Sequence, residues 1–263
     1  MTTEFSGRGD PKRSVEILWG TKEPPSRGPK PGLSVEGIVQ AAIRLADTEG
    51  LSALSMRRIA NELGVTTMAL YRYVPSKAEL LDVMLDRVHG EMRRPDESTG
   101  GWREQLELSA REEWDLYVRH SWVLQVAFSR PPLGPNVLGA YEATLRAVAH
   151  IGLPNEDALF VVDLVSEYTQ GSARATVNAA QVVRDTGITD EQWWETRASI
   201  MEDIFDSGNF PTIAQIYSEE GFDEPNAVTR HQTSFEFGLQ RVLDGIELYV
   251  QRRQQERSTG DNG

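Results

Sequence analysis

The stretch LSMRRIANELGVTTMALYRYVPSK, Leu54 to Lys77, concentrates side chains suited to gripping a polyanion and reading the groups between its charges. Arg57, Tyr71 and Lys77 are placed to hold phosphate oxygens. Thr67, Met68, Ala69 and Arg72 offer a hydroxyl, two apolar groups and a guanidinium. Threonine bonds donors or acceptors on base edges, and methyl groups meet thymine C5. Phosphate contacts fix register while base contacts carry sequence information. The second set is therefore assigned to reading and the first to positioning, with Ser55, Thr66 and Tyr73 completing the candidates.

Such residues need two short helices joined by a sharp turn. Ser55 offers an N-cap for a helix with Ile59, Ala60 and Leu63 inward. Gly64 supplies a turn needing positive φ, Thr66 caps the next helix, Leu70 faces inward, and Val74-Pro75 closes it. A helix-turn-helix reader lays its second helix in the major groove in this manner. On spacing alone, a helical hairpin with Gly64 as C-cap and solvated arginines fits as well. Upstream, Ser34 caps a helix that ends at Gly50; downstream, Ser76 and Glu79 have capping-box spacing. The spacing predicts a three-helix unit with a connecting helix over residues 34–94.

Residues 1–33 contain KEPPSRGPKPG, where prolines remove donors and fix φ, and are expected to form a flexible basic arm. Its SRGPKPG is similar to the Arg-Gly-Pro element of minor-groove arms, with Arg27 and Lys30 entering the groove. Taken alone it reads more simply as a solubilising tail. The formal charge of −13 is unevenly distributed. Residues 1–94 hold fourteen Lys and Arg against twelve Asp and Glu, and the remainder thirteen against twenty-eight. Local charge governs docking, so an acidic remainder orients rather than forbids binding to DNA.

There is no cysteine, which excludes disulfides and thiolate zinc sites. No apolar run approaches the roughly 18 residues of a membrane span, and MTTEFSGRGDPKRS lacks a signal-peptide core. A soluble cytoplasmic protein is expected. Beyond a break at RRPDESTGG, helical patterns cover 102–120, 121–129, 137–151, 155–184, 190–205 and 227–253, with no convincing strand. The fold class is all-α: an N-terminal three-helix helix-turn-helix domain and a larger C-terminal helical bundle, residues 95–254, for ligand binding and dimerisation. Residues 255–263 are expected to form a disordered tail.

The segment from Leu33 to Leu85, with ADTEGL, SMRRIANELGV and LYRYV followed by a lysine, closely resembles the DNA-binding domain of the tetracycline repressor (TetR) family. A weaker likeness continues through RPPLGPNVLGAYEATLRAVAHIGL and FEFGLQRVLDGI. The resemblance implies a homodimeric repressor that releases a double-stranded operator on binding a small-molecule effector. It also implies operator-contacting roles for Arg57, Thr67, Met68, Ala69, Tyr71, Tyr73 and Lys77. The best-known member holds its drug as a magnesium chelate with a histidine upstream of the Arg-Pro that matches Arg130-Pro131. Here LQVAFSRP has none, and the four histidines lack metal spacing, so neither tetracycline nor any metal or other cofactor is expected.

An effector site should be concave and mostly apolar with a few polar fixers. Trp114, Tyr117, Phe128, Tyr141 and Tyr168 are aromatic candidates, although aromatics at helical spacing are more often core. Glu113, Glu167 and Arg174 are polar candidates, costly inside unless paired with each other or a ligand, and equally readable as a solvated face. RPPLGPN could be a switch or an inert connector. For dimerisation, Phe235, Leu239, Val242, Leu243 and Ile246 form one stripe, and Val161, Val165, Tyr168, Ser172 and Ala175 another, with intrachain core as the alternative. An all-α enzyme is a weak rival, because the chain has no G-x-S-x-G, H-E-x-x-H or P-loop and no catalytic residues are proposed. A constitutive DNA-binding dimer without effector is the second rival.

Overall fold

The computed structural model describes residues 4–21, 33–127, 130–206, 208–219 and 226–260. The chain opens with β1 (Glu4–Phe5) and α1 (Pro11–Leu18). The unit expected from the capping signals follows: α2 (Val35–Glu49), α3 (Met56–Glu62), α4 (Thr67–Tyr71) and α5 (Lys77–His89). Each start is fixed by a hydroxyl that accepts a backbone N–H: Ser34 from Gly37, Ser55 from Arg58, Thr66 from Ala69 and Ser76 from Ala78. Caps of this kind stabilise by about 0.5–2 kcal/mol each. Between α3 and α4, Gly64 takes φ +64, and Val65 N–H reaches back to Ala60 O at 2.9 Å. That closure turns α4 across α3, with Ile38, Ile59, Leu70, Leu80 and Met84 fully buried beneath it.

Next come α6 (Trp102–Arg119), β2 (Val126–Ala127), α7 (Pro135–Val148), α8 (Asn155–Thr186), α9 (Asp190–Glu195), α10 (Ala198–Asp206), α11 (Pro211–Ser218) and α12 (Ala227–Gly260). The long α8 packs against both α6 and α12, burying Leu106, Leu116, Val161, Val165, Phe235, Leu239 and Leu243. Among the described residues the protein is all-α save for one parallel two-residue pairing, Glu4 with Val126 and Phe5 with Ala127.

Four sequence expectations need correction. The first 33 residues are not uniformly an irregular arm: Asp10 caps α1 with Pro11 at the first helical position, and Ile17 is buried. The proline cluster with Arg27 and Lys30 lies outside the described residues. The expected tail is helical through Gly260, because Gln254 reaches Ile151 O at 3.1 Å and Arg253 pairs with Glu256. Residues 121–129 begin as a 3₁₀ turn, Ser121–Gln125, leading into β2, and Ser129 is among the undescribed residues. Finally, 190–205 is split between α9 and α10, and α11 had no counterpart in the sequence reading.

Candidate functional site

α4 is five residues long and is pinned by Leu70. Around that pin Met68 is 72 % exposed, Tyr71 and Arg72 are exposed, and Thr67 and Ala69 are half-buried. A hydroxyl acting as a cap uses a lone pair and keeps its own proton. Thr66 and Ser55 therefore each retain one donor for an outside acceptor. Arg58 is paired with Glu49 and Arg44 with Glu62, whereas among the described residues no acid lies within ion-pair reach of exposed Arg57. Tyr73 is half-buried against the core, which limits it to an edge contact. Lys77 Nζ stands 3.0 Å from Glu4 Oε1.

Two polar joints tie this unit to the larger bundle. Asp86 on α5 accepts the N–H groups of Asn136 at 2.9 Å and Val137 at 3.0 Å, and Asn136 Nδ2–H at 3.0 Å, so it holds the first turn of α7. Gly134 lies so close that a Cβ there would collide with the Asp86 carboxylate. In the second joint, buried His120 lies between Asp47, 2.8 Å from Nδ1, and Glu91, 3.1 Å from Nε2. Trp122 also donates to Asp47 at 2.8 Å. Burial works against the imidazolium, but the hydrogen bonds to Asp47 and Glu91 outweigh it and raise the His120 pKa. Sequence reading named neither joint; each joins residues 29 or more positions apart, and no local pattern marks them.

The larger bundle holds a cavity of about 920 Å³. Its walls come from α6, α7, α8, residues 124–127, Pro131 and Leu133, with His89 and Met92 at the α5 end. Of the predicted ligand residues, Glu113, Tyr117, Tyr141, Glu167 and Arg174 line it. Trp114 and Tyr168 do not. Both stack on Phe235, at centroid distances of 5.3 and 6.1 Å, and Tyr168 Oη–H donates to the Ser234 and Phe235 carbonyls. The helical period explains this: Glu113 and Tyr117, four apart, share a face, while Trp114 is turned about 100° toward α12. Phe128 is outside the described residues. Missed by sequence reading were Ser109, Thr144, Ser166 and Gln170, polar residues that line the cavity.

Glu113 is a charge-capable group on the cavity wall. Its Oε1 accepts Tyr117 Oη–H at 2.7 Å and Ser166 Oγ–H at 2.8 Å. Burial raises its pKa, and the two hydroxyl bonds only partly oppose that. Burial lowers the pKa of His89, whose Nδ1 is 2.7 Å from Leu85 O, consistent with a neutral ring. The apolar wall includes Leu124, Val126, Leu133, Val137, Leu138 and Val162. The cavity thus offers a mainly apolar surface set with hydrogen-bonding groups from α6, α7 and α8. No group of three His, Cys, Asp or Glu side chains able to hold a metal ion occurs among the described residues.

The proposed dimer stripes are largely internal. Val161, Val165, Phe235, Leu239, Leu243 and Ile246 are buried in the seam between α8 and α12 of one chain. Tyr168 and Val242 pack on the same core, while Ser172 and Ala175 are half-buried. An apolar stripe of helical period must meet some partner, and here much of it is the chain's own neighbouring helix. Other apolar residues on these helices stay outside: Phe160 is 59 % exposed and Leu164 49 %.

A pinned short helix projecting Met68 and Tyr71, jointed to a helical bundle with a cavity, defines a helix-turn-helix regulator. Residues 38–84 match the family described as bacterial regulatory proteins, tetR family, and residues 94–250 the tetracyclin repressor-like C-terminal domain. The chain belongs to the TetR family of transcriptional repressors. It is 45 % identical over 256 residues to the HTH-type transcriptional repressor DrrR1 of Streptomyces coeruleorubidus, covering 97 % of this chain and 92 % of that one. It is 33 % identical over 230 residues to an HTH-type transcriptional regulator of Saccharopolyspora erythraea, covering 87 % and 90 %. Among solved structures, the TetR family protein ActR of Streptomyces coelicolor in complex with (S)-DNPA superposes with a TM-score of 0.62 at 27 % identity, covering 83 % and 99 %.

Proposed function

We propose that this repressor binds a two-fold symmetric operator as a homodimer in the cytoplasm and is released by a small, largely apolar effector held in the cavity. The observation carrying the proposal is the pairing of an exposed Met68 on α4 with a cavity whose α7 wall is bolted to α5 by Asp86. Thr67, Met68, Ala69 and Arg72 read bases. Ser55, Arg57, Thr66, Tyr71, Tyr73 and Lys77 hold phosphates, and Arg27 and Lys30 extend the grip into the minor groove. ActR, of like fold, is described in complex with (S)-DNPA and with actinorhodin, which supports a ligand in the corresponding cavity.

The dimer face uses the outer sides of α8 and α12. Phe160 and Leu164 lead it, and Gly171 and Gly245, where a Cβ would meet nothing within 4 Å, leave room for close approach of a second chain. Two-fold pairing sets the α4 helices about 34–36 Å apart, one turn of DNA. The test is selection of duplexes from a random pool on full-length protein, then a thermal-shift screen of small apolar molecules. A palindromic consensus, and a stabilising compound that weakens binding to it, are expected. Enrichment of no sequence, or stabilising ligands without effect on DNA affinity, would overturn the reading.

A further inference from the structure

The segment before α1 is fastened along both edges. On one side β1 pairs with β2, and buried Ser6 has its Oγ 2.6 Å from Arg130 O and 3.1 Å from Ala127 O. On the other side Gly7 N–H donates to Asp82 at 2.9 Å, Ser14 Oγ–H to Asp82 at 2.9 Å, and Asp10 N–H to Glu79 at 3.0 Å. Trp19 adds a bond from its indole N–H to Leu133 O at 2.8 Å. One edge therefore lies on a wall of the cavity, to which Val126, Ala127 and Leu133 belong, and the other on α5.

This fastening brings Glu4 Oε1 to 3.0 Å from Nζ of Lys77, the first residue of α5. The side chains are 32 % and 35 % exposed, so both heads remain wet. An ion pair of that kind is weak and exchanges readily with another anion.

We propose that Glu4 is a positioning residue for operator binding: it engages Lys77 in the free protein and competes there with a DNA phosphate, and Ser6 holds it in place. The inference rests on the assignment of Lys77 to a phosphate. Because the strand bearing Glu4 is paired to the cavity wall, the position of that wall sets where the competitor stands relative to Lys77.

The test measures full-length variants by fluorescence anisotropy on the selected operator and on a random duplex, over a salt series. Glu4→Gln keeps size and removes charge. It is expected to tighten binding to both duplexes by roughly two- to fivefold at low salt, the range of an exposed ion pair. The log–log salt slope should steepen by up to about one unit. Ser6→Ala should act in the same direction and add little to Glu4→Gln. In a Lys77→Ala background, Glu4→Gln should have no effect.

Unchanged affinity in Glu4→Gln, while Lys77→Ala flattens the slope, would overturn the proposal and leave the phosphate assignment standing. An equal gain with and without Lys77 would also overturn it, by showing bulk charge at work. A slope unaffected by Lys77→Ala would remove the phosphate assignment itself, and the competition with it. Matching circular dichroism and melting temperatures across the variants exclude an effect through folding.

Discussion

Replacing Asp86 by alanine probes the joint through which the cavity and the DNA-binding unit are connected. The carboxylate is buried and accepts two backbone N–H groups from the first turn of α7 and the side-chain amide of Asn136. Loss of an N-terminal acceptor costs about 0.5–2 kcal/mol. A hydrogen bond to an ionised group is worth about 1.5–3 kcal/mol, and a buried donor left unpaired costs about 1–3 kcal/mol. These figures describe overlapping events, since water entering the vacated space resatisfies part of the turn. The expected loss is about 2–4 kcal/mol of unfolding free energy.

Urea denaturation at one fixed protein concentration is the assay, because assembly would make apparent stability concentration-dependent. Asp86→Asn discriminates the mechanism: its oxygen can still accept the N–H groups of Asn136 and Val137, and the Asn136 amide can rotate to meet the new NH2. Less than half the alanine loss is expected for it. Alanine costing under about 0.5 kcal/mol, below the range of a cap, or both variants costing the same, would refute the assignment of Asp86 as the anchor of α7.

Met68→Ala should weaken binding to the cognate operator by about 1–3 kcal/mol and leave random DNA nearly unaffected, read by competition anisotropy; equal losses would remove it from base reading. The raised pKa of His120 stabilises the fold fully below the free-imidazole value of about 6.5 and loses effect as pH climbs through the raised value. His120→Gln should therefore lower the melting temperature more at pH 6 than at pH 9, and parallel curves would refute the charge role of the joint. For Glu113 the pKa is also raised, so its neutral form favours the fold and that benefit fades as pH rises from about 4.3 through the folded value. Glu113→Gln should gain melting temperature relative to wild type at alkaline pH, and no gain would show that the cavity already solvates the carboxylate. Phe160→Glu with Leu164→Glu should shift sedimentation toward the monomer; an unchanged profile would move the dimer face elsewhere.

The DNA-binding unit was legible because its signals are local. Ser34, Ser55, Thr66 and Ser76 each bond a backbone group two or three residues away, and Gly64 turns the chain by its own φ. The N-terminal segment was misread for the opposite reason. Ser6, Gly7 and Ser14 find their partners 68 or more positions away, and nothing in their neighbourhood announces those partners. On α8 and α12 helical periodicity marked residues that must be covered without saying by what, and the intrachain seam took most of them. The cavity was half legible: Glu113 stood out as expensive to bury, whereas Ser166 and Gln170 resemble any solvated helix face until the walls are assembled.

The contact between Gly134 and Asp86 has a consequence for how such a chain can diverge. The carboxylate is clamped by three bonds and cannot swing aside, so any side chain at position 134 must displace it. Loss of the acid, in turn, unbolts α7. Inherited change at either position is therefore filtered by the other, and among descendants the two should be retained or exchanged as a couple.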